Sequence, residues 1–329
     1  MYIGMVAPHY PYLQRGAEGF VREISKRLEE RGHSVSFINI KKDEIRIDRG
    51  IGKKWRDICD KTQASGFFRK FIGIEPDIAH FSYFLNRSNS FRDEKYDFLW
   101  NNGGEMFGTM LCFKMRKRYG IPFVCTFHGN ESMMMVTEGM LKPDLFAVLS
   151  QKYLEFIENK VSGNIRCIPN GVDLERFNPK HRRDLGYSIP KPWYISTSAH
   201  EHNKHVEQAV DYVAEREGSL VVTSRGSMTD ELRERCKKKL KGRHMFLGLV
   251  DADEIPVLLA SSDYYITCST SEGHSLAILE ALASGLEVIA PNADENIRWT
   301  IGSNDRKQAE RFSWEKTVDS YLDEMEAIL

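Results

Sequence analysis

The chain has 329 residues, a length that favours two domains over a single core. With 46 basic against 47 acidic residues its net charge is −1, so nothing global directs it to nucleic acid or another acidic polymer. A composition 41% hydrophobic and 28% charged is that of a soluble globular protein with ample apolar material for real cores.

The first predicted element is a strand over Tyr2–Val6, entered with no charged leader or apolar signal segment. A helix follows from near Gly16, with Ala17, Phe20, Val21, Ile24 and Leu28 on one face at the 3.6 period, and it stops at Gly32. Residues 35–40 form the second strand and complete a β-α-β unit, the building block of parallel sheets covered by helices. Residues 41–75 are less regular. Between 41 and 70 there are ten Lys or Arg and five Asp or Glu, with Trp55, Phe67, Phe68, Phe71 and Ile72 interleaved or adjacent. Two readings of that stretch stand: a patch for a membrane surface, or a solvated helical insertion with its aromatics packed inward.

The alternation resumes with a strand at 77–81, a helix at 105–119 and strands at 122–127 and 145–149. A helix at 151–161 and a strand at 165–168 follow, and Pro169-Asn170-Gly171 is a strong turn signal. A second series then begins. Strands are expected at 193–198, 220–223, 245–247, 264–268 and 286–290. Helices are expected at 206–214, 229–240, 252–260 and 276–283, with an amphipathic helix at 314–328. No run of about 18 apolar residues occurs, so no membrane-spanning helix is predicted and a cytoplasmic location is the expectation. The cysteines at 59, 112, 125, 167, 236 and 268 are scattered without a C-x-x-C pair, which argues against structural zinc and a disulfide framework. Cys125, Cys167 and Cys268 lie in apolar runs and read as buried thiols.

The informative stretch is residues 268–291. A strand runs into a polar loop holding Glu272 and Gly273, and a helix opens near Ser275, whose free N–H groups and positive dipole end make an anion site. Glu272 and Glu280 are eight residues apart, about 12 Å along a helix at 1.5 Å per residue. Two such carboxylates can accept hydrogen bonds from hydroxyls at both ends of an extended ligand. On the residues alone, a loop glutamate and a solvated helix glutamate serve as well.

The segment from Glu272 through Glu280 to Ala-Leu-Ala-Ser-Gly285 resembles the E-x7-E segment of retaining glycosyltransferase family 4, a group with the GT-B fold. The flanks are similar too: Phe246-Leu-Gly-Leu-Val250, Pro256 to Asp263, Ile168-Pro-Asn-Gly-Val-Asp173, Gly16-Ala-Glu18, Arg31-Gly-His-Ser-Val35 and Phe312-Ser-Trp-Glu-Lys316. The resemblance implies two Rossmann-like, doubly wound α/β domains facing a cleft. Residues 1–175 would form the acceptor domain, with the final helix at 314–329 packing back on it, and 176–313 the donor domain. Glu280 would hold ribose hydroxyls, the N–H groups at Ser275 and Leu276 the diphosphate, and Glu272 the transferred sugar. Lys204 matches the family's diphosphate lysine, His128 in Thr126-Phe-His-Gly129 its sugar-facing histidine, and Gly16 and Gly273 would let backbone approach the ligand.

The function implied is retaining transfer of a hexose from a nucleotide-diphosphate donor to a glycan, lipid-linked or small-molecule acceptor. No metal and no cofactor beyond the nucleotide-sugar co-substrate are implied, and residues 41–72 would supply any peripheral membrane contact. Two departures stand out. The family's arginine before the lysine is missing from Ser196-Thr-Ser-Ala-His200, with His200 and Arg225 the nearby substitutes, and only residues 291–311 lie where the family carries a further strand and helix. A dehydrogenase or P-loop enzyme lacks its motif here. A nucleotide-sugar epimerase and a non-catalytic relative that binds nucleotide sugar or a partner remain as alternatives.

Overall fold

The computed structural model describes residues 1–7, 16–38, 95–103, 106–128, 142–158 and 163–329. The basic stretch at 41–72 and the strand expected at 77–81 lie outside the described residues. The chain divides into two compact units, one of Met1–Ile168 with Val318–Leu329 and the other of Pro169–Thr317.

In the first unit the chain runs β1 (Tyr2–Val6), α1 (Gly16–Glu30), β2 (Ser34–Ile38), β3 (Phe98–Gly103), α2 (Met106–Tyr119), β4 (Phe123–Phe127), β5 (Leu145–Val148), α3 (Gln151–Glu158) and β6 (Ile165–Cys167). All six strands pair in parallel, in the order β2-β1-β3-β4-β5-β6. α1 forms because Phe20, Val21, Ile24 and Leu28 share one buried face. It stops where Gly32 takes φ +82° and the His33 N–H reaches back to the Leu28 carbonyl, closing a Schellman turn. β3 is a strand that sequence pattern did not announce. Its apolar half, Phe98 to Trp100, runs into Asn101-Asn102-Gly103, which reads locally as a turn, yet the chain stays extended because β1 and β4 both take hydrogen bonds from it.

One face of this sheet is closed by aromatic rings. Trp100 stands 4.4 Å from Tyr321, and Phe20 meets both edge-on. The buried polar atoms are satisfied in series: Trp100 Nε1 donates to Thr126 Oγ1 at 2.8 Å, and that hydroxyl pairs with the Tyr321 hydroxyl at 2.8 Å. Burial pushes the Tyr321 phenol far above its ordinary range.

The second unit carries β7 (Trp193–Ser196), α4 (Val206–Ala214), β8 (Ser219–Thr223), α5 (Thr229–Leu240), β9 (His244–Gly248), α6 (Ile255–Ser261), β10 (Tyr264–Ile266), α7 (Leu276–Ala283), β11 (Glu287–Ile289), α8 (Glu295–Ile301) and α9 (Arg306–Glu310). Its five strands are parallel in the order β11-β10-β7-β8-β9. Successive residues alternate between two cores. Trp193, Ile195, Val221, Tyr265 and Val288 enter the core beneath α6 and α7, while Tyr194, Leu220, Val222 and Ile266 enter the core beneath α4 and α5. Helices therefore cover both faces, as a doubly wound sheet requires. The 291–311 stretch contains α8 and α9, which sequence pattern did not place. Each is capped by an aspartate, Asp294 on the Ile297 N–H and Asp305 on the Gln308 N–H.

α10 (Trp314–Glu326) begins in the second unit and from Val318 belongs to the first. Where it begins, Val172 pairs with Ser313 and its N–H bonds to the Phe312 carbonyl. A Cβ on Gly171 would lie 2.4 Å from the Trp314 nitrogen and 2.5 Å from its Cα. Backbone cannot swing aside as a side chain can, so Gly171→Ala should destabilise the chain at the upper end of the roughly 1–3 kcal/mol typical of overpacking. Urea unfolding of the variant against wild type, with the m-value monitored, measures this.

Candidate active site

Parallel strands end on one edge, and in an open α/β sheet a ligand crevice opens where neighbouring crossovers leave in opposite directions. In the second unit that place lies between β7 and β10: from β7 the chain winds outward through β8 and β9, and β10 and β11 are added on the other side. The loops that meet there are 197–205 and 267–275, and they carry the residues the sequence singled out.

Lys204 ends a 3₁₀ turn over His202–Lys204, after which His205 adopts φ +50° and leads into α4. Its Nζ donates to Glu272 Oε1 at 2.6 Å, with the two side chains 27% and 21% exposed. Residues 68 apart in sequence thus form a charge-assisted pair at the switch point. Tyr265 lies beneath, its hydroxyl 3.2 Å from Thr197 Oγ1. Burial pushes its phenol up to about 12, and the carboxylates of Glu280 and Glu272 push the same way, so both glutamates act on one buried hydroxyl.

Glu272 is not helical. β10 ends at Ile266 rather than 268, and α7 begins only at Leu276, so the 12 Å helical spacing between Glu272 and Glu280 does not apply. Glu280 sits on α7, partly exposed. Ser275 is the N-cap of α7 in an extended conformation and makes no side-chain cap bond, which leaves the first N–H groups of α7, beginning at Leu276, without that partner.

The loop itself is anchored by its neighbours. Gly273 is buried, and the His274 ring is held 4.8 Å from Trp299 and 4.7 Å from Phe312. The His274 carbonyl accepts from Asn170 Nδ2 at 2.6 Å. Both His274 ring nitrogens are buried with no hydrogen-bond partner, and burial lowers its pKa to about 3. Asn170 lies in the Pro-Asn-Gly sequence that reads as a turn, and its role as an anchor for the glutamate loop has no sequence signal.

Of the two nearby substitutes for the missing arginine, His200 is no phosphate cation. His200 is buried, Nδ1 lies 3.0 Å from Thr229 Oγ1, and burial lowers its pKa, so it is a neutral packing residue. Arg225 is exposed beside Gly248 at the end of β9. Among the described residues no group of three His, Cys, Asp or Glu is placed to hold a metal ion.

In the first unit the switch point lies between β1 and β3. Gly16 opens α1, and a Cβ there would meet nothing within 4 Å, so the described neighbourhood does not demand glycine. His128 follows β4, and its Nε2 is 2.9 Å from Asn102 Oδ1, at the end of β3. Asn102 Nδ2 donates in turn to the Ala17 carbonyl at 3.1 Å. Asn102 therefore ties the first turn of α1 to His128. Sequence reasoning missed it, although a polar pair closing an apolar run is what the end of a buried parallel strand at a ligand edge looks like.

With this geometry described, comparison with known proteins gives a consistent result. The Glycosyltransferase Family 4 profile matches residues 14–176 and the Glycosyl transferases group 1 profile matches residues 194–327. The chain is 24% identical over 328 residues to an alpha-monoglucosyldiacylglycerol synthase of Streptococcus pneumoniae, covering 88% of this chain and 71% of that protein. Its fold is similar to that of sucrose-phosphate synthase from Thermosynechococcus elongatus, with a TM-score of 0.75 at 17% identity over 98% of this chain and 97% of the other. It is also similar to Anabaena HepE in complex with UDP and glucose, with a TM-score of 0.68 at 17% identity over 99% and 100% of the two chains. The chain belongs to glycosyltransferase family 4 and is a glycosyltransferase of the GT-B type.

Proposed function

We propose that the chain transfers a hexose from a nucleoside-diphosphate donor to an acceptor hydroxyl with retention of configuration at the anomeric carbon. The observation that carries this reading is the meeting of Lys204 and Glu272 at 2.6 Å on the switch-point loops, just ahead of α7, the helix that carries Glu280. One cation and one carboxylate ahead of a helix N-terminus, with a second carboxylate farther along that helix, suit a ligand that is anionic in its middle and hydroxylated at both ends. Glu280 takes the ribose hydroxyls, Glu272 the hexose hydroxyls, and the N–H groups at Ser275 and Leu276 with Lys204 take the diphosphate. Gly273 keeps the loop backbone close to it. His128 is the candidate for a hydroxyl of the transferred sugar.

In the proposed step the bond from the anomeric carbon to the diphosphate oxygen breaks, and the acceptor oxygen bonds to that carbon on the same face. The acceptor's proton passes to the departing phosphate oxygen. Negative charge grows on the diphosphate as it leaves, and the Lys204 ammonium stabilises it, so the reading invokes no divalent ion. UDP is the first donor nucleotide to try, since the HepE structure contains UDP and glucose. A lipid acceptor is supported by the name of the Streptococcus relative and by the basic, aromatic sequence at 41–72.

Calorimetric titration with UDP-, GDP- and ADP-hexoses tests the donor reading. One donor should bind wild type in the micromolar range and lose at least tenfold in affinity in Glu280→Ala, about 1.4 kcal/mol; no binding of any donor to wild type would overturn it. Lys204→Gln should lower kcat roughly 10²- to 10³-fold, the usual cost of removing one preorganised group that stabilises transition-state charge, and steady-state rates with the identified donor check this. Replacing the Lys and Arg residues of 41–72 by Gln should weaken sedimentation with anionic vesicles, and unchanged vesicle binding would remove the lipid-surface proposal.

A further inference from the structure

The Asn102–His128 contact fixes more than position. Asn102 is 6% exposed and has two polar neighbours along its amide: the Ala17 carbonyl at 3.1 Å and His128 Nε2 at 2.9 Å. A backbone carbonyl only accepts, so the amide nitrogen must face Ala17. The opposite orientation would set two oxygens against each other at that distance in a buried place. The amide oxygen therefore faces His128, and an oxygen that only accepts requires a proton on Nε2. A neutral imidazole with Nε2 protonated offers a bare lone pair at Nδ1.

We propose that Asn102 is a positioning residue that holds His128 in the Nε2–H form, so that Nδ1 accepts a hydrogen bond from a hydroxyl of the bound sugar. This inference rests on the donor reading above and deepens it by assigning the chemistry of the group that meets His128. An acceptor nitrogen takes O–H or N–H donors and repels phosphate or carboxylate oxygens, so His128 reads the sugar and not the diphosphate. Two further observations agree. Burial lowers the His128 pKa to about 4, which keeps the ring uncharged at neutral pH. The Phe20 ring meets the imidazole edge-on at 5.2 Å and restricts its rotation. His128 is only partly buried, and Asn102 is its hydrogen-bond partner among the described residues.

The test pairs a spectrum with kinetics. Two-bond ¹⁵N–¹H correlation on the full chain, with His128→Gln to assign the ring, should show His128 as the Nε2–H tautomer. In Asn102→Ser that single tautomer should be lost. In Asn102→Asp the carboxylate should draw a second proton onto the ring at neutral pH and turn Nδ1 into a donor. In both variants kcat/KM for the nucleotide sugar should fall about 10- to 100-fold, the scale of one misdirected buried hydrogen bond. Affinity for the sugar-free nucleoside diphosphate should stay at the wild-type value, which a general loss of structure would not allow. A wild-type spectrum with the proton on Nδ1, or variants with wild-type kcat/KM, would overturn the proposal. Should wild type bind no nucleotide sugar, the donor reading fails by itself, and the wild-type spectrum still decides whether Asn102 sets the tautomer.

Discussion

Every described strand runs parallel to its neighbours, and this one constraint places the chemistry. A parallel ladder keeps its backbone groups paired and its faces apolar, so charged side chains gather where the strands end. In the second unit the crossovers part at β7 and β10, and that fork receives one cation from the loop after β7 and one carboxylate from the loop after β10. Lys204 and Glu272 meet there because the winding of the sheet changes direction between their strands, not because they are near in sequence.

The fork is supported from below and from the side. Tyr265 is fully buried within the sheet, and its hydroxyl ends at the floor of the site beside Thr197. Laterally, the glutamate loop is held by groups that do not touch the glutamate. Trp299 and Phe312 grip the His274 ring, and the Asn170 amide holds the His274 carbonyl. Trp299 belongs to α8, a short helix within 291–311, so that stretch contributes to anchoring the loop that carries Glu272.

Most of the fold was legible because its signals are local. The 3.6-residue spacing of Phe20, Ile24 and Leu28, the Gly32 stop, the aromatic run of β7 and the β-branched run of β8 state their structure within a dozen residues. The Glu272–Glu280 segment was legible as a loop running into a helix near Ser275, and α7 begins at Leu276; only the 12 Å helical distance between the two glutamates fails, because Glu272 lies in that loop. β3 was hidden because Asn101-Asn102-Gly103 favours a turn locally and is held extended only by partners outside its own sequence. Asn102 and Asn170 were hidden for a related reason. A buried asparagine is defined by whom it bonds, and its partners lie 85, 26 and 104 residues away. α8 and α9 escaped because each is shorter than the window over which a helical period becomes visible.

The histidines add a property that none of these contacts shows singly. His128, His200 and His274 are all held neutral by burial, with folded pKa values below that of an exposed imidazole. An unfolded chain would protonate each of them as pH falls below about 6.5, while the folded chain does not, so each withdraws up to about 1.4 kcal/mol of folding free energy per pH unit until its folded pKa is reached. All three stand at the ends of strands or in the loops that follow them. Mild acid therefore lowers folding stability through imidazoles that stand at the strand ends of both units, so residues beside the candidate site carry part of the pH dependence of the fold.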